Sequence, residues 1–181
     1  MRLSLVLILG VAACVGAHEW RVTQMENDAE AVRLAVRSLQ LSHTGRIDVA
    51  MLTIEEALTL SPKNPSLWYD AGGIYAMKAL MTYTSGMNNH KHWVAKSTRA
   101  AAEADRLSDD WFYTLDHADT LLFAHMYECE VDLVRLRELY LSIEDTRNAA
   151  VQQMIVARVK AVSNFIDDEN QFFKPKQEQL F

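Results

Sequence analysis

The fifty residues from Ala31 to Leu80, AVRLAVRSLQ LSHTGRIDVA MLTIEEALTL SPKNPSLWYD AGGIYAMKAL, decide the fold. Their apolar residues recur at steps of three and four and do not alternate, which is the period of a helix with one buried face. Trp68, Gly72, Tyr75 and Ala79 fall on one such face. Gly45 interrupts the stretch once and Pro62 to Pro65 interrupt it again. A glycine frees the backbone for a turn, and a proline inside a helix removes a hydrogen bond. The spacing therefore predicts helices over 22–42, 46–60 and 65–83.

The same period continues beyond Leu80 and predicts helices over 91–107, 110–128, 131–142 and 146–167. Trp111, Leu115, Ala118, Leu122, His125 and Cys129 share one face, and Ser108 and Asp109 precede it with side chains able to cap a helix. From Asp167 the text turns polar, then carries Pro175 and a Gln-rich end, and 168–181 reads as a frayed tail. The chain has 181 residues with only 6 Gly and 3 Pro, and half its residues are hydrophobic. That composition fits one all-α domain, large enough to bury a core without help from disulfides.

Residues 31–64 form a unit of 34 residues, with Gly45 at the turn and Ala50, Ile54, Ala57, Leu60 and Pro62 behind it. The next unit opens with Trp68, Ala71, Gly72 and Tyr75. Both resemble the tetratricopeptide repeat in length and in the W-x-x-L-G-x-x-Y pattern, with Ala71 where that pattern has Leu. Ala101, Ala104, Leu107 and Asp109 echo the unit more loosely, after 13 surplus residues that fall between Met81 and Ser97. Either both helices there run past their neighbours, or a loop around Ser85 to Asn89 bulges out. The resemblance implies an α-α superhelix of about three helix pairs, closed by the helix at 146–167. It also implies a concave groove that grips a protein or peptide. By matching positions the groove would be Val32, Ala35 and Leu39, then Tyr69, Gly73 and Met77, then Tyr113, Asp116, Thr120 and Phe123. Family members that clamp a terminal carboxylate use Lys, Asn and Arg there; this chain has none at those positions, so that activity is not carried over.

The first seventeen residues stand apart from the domain at 22–167. Arg2, an apolar run from Leu3 to Ala13, and small residues through Ala17 have the layout of a secretory signal. Val11 to Cys14 resembles a lipobox, which would make Cys14 a lipidated first residue and suggests the outer membrane. Val15 to Ala17 resembles an ordinary cleavage site, which would leave a soluble periplasmic protein. Either cut leaves Cys129 as the one thiol, so no intramolecular disulfide is expected.

The net charge of −6 is concentrated: nine acids lie between Glu103 and Asp132 against Arg106 alone. Such a stretch repels nucleic acid and suits a basic protein partner or plain solvation. His117, His125 and Cys129 have a spacing that holds metals, but they share a face with core residues. Met87, His90, His92 and Trp93 sit at the surplus segment and read as a docking tip; with Met77 and Met81, the Met and His residues are also the ligand types of cuprous copper. No nucleophile elbow, phosphate loop or zinc-protease motif is present. The expectation is an exported, non-catalytic adaptor without a cofactor, and the alternative is a periplasmic copper protein using 77–92.

Overall fold

The computed structural model describes the backbone of residues 2–143 and 148–173, and the side chains of 23–143 and 148–167. Within them the chain is all-helical: α1 (Arg2–His43), α2 (Ile47–Leu60), α3 (Pro65–Thr84), α4 (His90–Leu107), α5 (Trp111–Met126), α6 (Leu133–Ser142) and α7 (Ala149–Phe173). Each helix packs on the next in sequence, and α1 also touches α3. Short connections make successive helices antiparallel, so α1/α2, α3/α4 and α5/α6 are hairpins and α7 lies on α6.

The breakers act where the sequence puts them. Gly45 takes a positive φ of 77° between α1 and α2, and Gly86 one of 70° between α3 and α4, a region costly for residues with a Cβ. Asn64 caps α3 by accepting from the Ser66 N–H, with Pro65 in the first turn. The cap of α5 is Asp110, which accepts from the Phe112 N–H, and not Ser108 or Asp109. Ser108 instead accepts from the Asp110 N–H at 3.2 Å and braces the cap.

Two boundaries differ from the sequence reading. Helix α1 runs unbroken from Arg2 through the expected cleavage zone, because nothing between Leu3 and Leu39 breaks a helix more strongly than an isolated glycine. The side chain of Cys14 and the tail 174–181 lie outside the described residues. Helix α7 continues to Phe173, beyond the expected end at 167.

The interior forms two main clusters. One joins α1 to α4 through Ile54, Ala57, Leu67, Ala71, Ile74 and Tyr75; the other joins α5 to α7 through Ala118, Leu136, Tyr140, Ile155 and Val162. A small cluster of Ala79, Val94 and Ala124 bridges them. Small residues govern approach between helices. A Cβ on Gly72 would meet the Ser97 carbonyl oxygen at 3.6 Å and Ala100 at 3.7 Å, and the Ser97 hydroxyl donates to the Gly72 carbonyl at 2.9 Å. The surplus residues lengthen α3 and α4 to 20 and 18 residues against 14 for α2, leaving only a short turn at Ser85–Asn89.

Candidate functional site

The first helix of each hairpin contributes one wall of a shared hollow. Leu39, Ser42 and His43 come from α1, Tyr69, Asp70, Gly73 and Met77 from α3, and Asp116, Asp119, Thr120 and Phe123 from α5. The cavity measures about 470 Å³ and its walls are mainly apolar. Two of its walls, α3 and α5, are joined by aromatic contacts at one end. The Tyr69 ring lies 5.1 Å from Phe112 and 6.2 Å from Tyr113, and Ser66 and Tyr113 hydroxyls are hydrogen-bonded at 3.0 Å.

Seven of the ten residues expected in a groove line this cavity: Leu39, Tyr69, Gly73, Met77, Asp116, Thr120 and Phe123. Tyr113 stands behind Tyr69 as its support. Ala35 is buried in the first core cluster and does not line the cavity. Val32 is half exposed and lies beyond the cavity, one turn before the equally exposed Val36. Val32, Val36, Leu39 and His43 follow at steps of four, three and four, so α1 carries an apolar stripe that extends the hollow. The sequence reading missed Val36, His43, Asp70 and Asp119; for the first two, that regular spacing was the available signal.

The three acids in the hollow are in different states. Asp119 accepts a hydrogen bond from the Tyr140 hydroxyl at 2.5 Å. Arg158 Nε sits 3.3 Å from the same oxygen, an ion pair out of line for a hydrogen bond. Asp70 and Asp116 have neither a hydrogen-bond nor an ion-pair partner among the described residues. Burial raises both, and burial together with the neighbouring Asp119 brings Asp116 to about 6. Tyr69 is itself raised, first by burial and then by the charges of Asp116 and Asp70.

The expected docking tip is divided by the structure. Met87 is exposed at the turn, while the His90 ring packs edge-on against Tyr83, and Tyr83 against Tyr127. Trp93 is not at the tip. It is half-buried and stacks on Tyr75, and Lys96 lies over both rings at 4.9 and 5.4 Å. Lys96 and the Tyr75 hydroxyl both donate to Glu55. Burial alone would raise the Glu55 carboxyl, but these two bonds outweigh it and hold it below its ordinary value. Trp93 therefore serves as a wall of an internal clamp between α2, α3 and α4. His92 faces Trp93 and His90 faces Tyr83, so the two histidines are directed to different neighbours and not to a common point with Met87.

The face carrying His117, His125 and Cys129 is divided in the same way. His117 Nδ1 meets Asp105 at 3.0 Å, and the other oxygen of Asp105 accepts from the Thr114 hydroxyl at 2.6 Å. This Asp–His pair ties α4 to α5. His125 lies against Phe165, and the Cys129 thiol, raised by burial, reaches only the Tyr127 carbonyl. Among the described residues no group of three or more His, Cys, Asp and Glu is placed to hold a metal, and no helix is long and apolar enough to cross a membrane.

The class that fold and site define is an all-helical protein with a hollow face built from alternate helices. No protein-family model, no curated protein and no solved structure matches the chain.

Proposed function

We propose that this chain is a non-catalytic adaptor of the tetratricopeptide type, which holds a segment of another protein in the hollow lined by α1, α3 and α5. One observation carries the reading. An apolar cavity of about 470 Å³ runs across three helices that are not neighbours in sequence, a surface no core requirement explains and of the size that binding sites take. The units at 31–64 and from Trp68 support the family, since stacked hairpins of this kind leave one face concave. Function belongs to the site and not to the fold; the residues there, aromatic, thioether and carboxylate, suit holding a chain segment.

The adaptor is exported. Arg2 and the apolar run to Ala13 support that reading, with either acylation at Cys14 or release after Ala17 as the processing step. The intact mass of the mature protein separates them, and an unprocessed mass would remove the export reading.

Gly73 offers the sharpest test of the groove. A Cβ built there meets nothing within 4 Å, so a side chain at this position starts into open space, and Gly73→Leu should occupy the hollow. Cross-linking in cells should capture a partner with the wild type and lose it with folded Gly73→Leu, and equally with Tyr69→Ala or Phe123→Ala. A captured partner retained by all three variants would overturn the proposal.

A further inference from the structure

Two cations of α3 and α4 are engaged by acids of α2: Lys78 pairs with Asp48 at 2.7 Å and Lys96 with Glu55 at 2.9 Å. Asp119 is satisfied from behind by Tyr140 and Arg158. Among the described residues no Lys or Arg lines the hollow, and His43 is the one basic residue there. Asp70 on α3 and Asp116 on α5 are thus left as two half-buried carboxyls without a partner among the described residues, in a groove whose walls are mainly apolar. Both still reach solvent, so they stand as open acceptors on the wall of the hollow, and the acids there outnumber the one basic residue described, His43.

From this geometry we infer that the groove takes an apolar peptide segment of a partner protein bearing one Lys or Arg. Its charged head lies between Asp70 and Asp116, and its aliphatic stem lies along Tyr69, Met77 and Phe123. The inference rests on the hollow being the binding surface. Charge complementarity selects the cation, and the apolar walls select how it is delivered. A bare divalent ion wants six or more oxygens, whereas Lys and Arg lay an apolar stem along apolar surface and keep the head polar. Beyond Leu39, which already lines the hollow, the stripe back through Val36 to Val32 adds about 10 Å of helix surface at 1.5 Å per residue. That is room for about three extended residues besides those in the hollow itself, more than a single amino acid or small amine would occupy.

The experiment selects a random twelve-residue phage-displayed peptide library on the purified domain and, in parallel, on the Asp70→Asn/Asp116→Asn double variant. Peptides from the wild type should share a Lys or Arg at one fixed place among apolar residues, and those from the variant should not. Exchanging that cation for norleucine should weaken binding about tenfold to a hundredfold on the wild type, and less than about threefold on the variant. Peptides that compete with one another, are blocked by Gly73→Leu, and yet carry no fixed cation would overturn this inference and leave the groove reading standing. Peptides indifferent to Gly73→Leu, Tyr69→Ala and Phe123→Ala would overturn both.

Discussion

Replacing Asp116 by Asn should make the domain more stable near neutral pH and leave it unchanged near pH 4. In the folded chain the Asp116 carboxyl stands at about 6, raised by burial and then by Asp119, against an ordinary value of 3.8. The folded state therefore holds this proton more tightly than the unfolded state, and ionisation costs stability. The cost is absent below about pH 3.8, grows between 3.8 and 6, and is complete above 6. At about 1.36 kcal/mol per tenfold difference its ceiling is near 3 kcal/mol. Asp116 still reaches solvent through the open groove, and discounting for that leaves about 1.5 kcal/mol. Asn keeps the shape and cannot ionise. Urea unfolding followed by tryptophan fluorescence should show a gain of about 1–2 kcal/mol at pH 7.5, with Tm higher by about 3–6 °C. At pH 4 the two proteins should agree within about 0.3 kcal/mol. The same gain at both pH values, or a loss at pH 7.5, would refute the reasoning.

Other substitutions separate packing from binding. Gly73→Leu should raise stability by about 0.5–1 kcal/mol through helix propensity while abolishing capture of a partner, measured on one preparation by thermal melting and by binding. At Gly72, Ala meets only ordinary contact distances and should be neutral or stabilising by up to about 1 kcal/mol. Leu there should force α3 from α4 and cost about 1–3 kcal/mol in urea titration. Leu136→Ala, at a fully buried position of the second cluster, should cost about 2–5 kcal/mol in the same measurement. Tyr140→Phe should cost about 1–2 kcal/mol, because it takes away the hydrogen bond that holds Asp119.

The helices were legible because three features agree: apolar period, Gly and Pro at the turns, and small residues where helices touch. Gly72 and Ala71 mark the seam with α4 from sequence alone. The surplus at 81–97 left two outcomes open, and longer helices prevail because Ala79, Val94 and Ala124 bury one another. The groove was legible as a face and not as chemistry. Nothing local says that Asp119 is satisfied by Tyr140 and Arg158 while Asp116, one turn earlier, is not; those partners lie 21 and 39 residues downstream. Trp93 misled for a similar reason. Beside Met87 and two histidines it suggests a sticky surface, but its ring is held by Tyr75 and Lys96 from elsewhere in the fold.

Of the residues that line the hollow, Met77 packs against the first main cluster and Phe123 against the small one that bridges the two. The width of the mouth is consequently set by how α4 rides on α5, with a slender apolar bridge beneath. A guest that touches both banks acts as a rivet. If the hollow holds a guest as proposed, the two regions should open together, and amide exchange in α6 and α7 should slow in step with exchange in α1 when the site is filled.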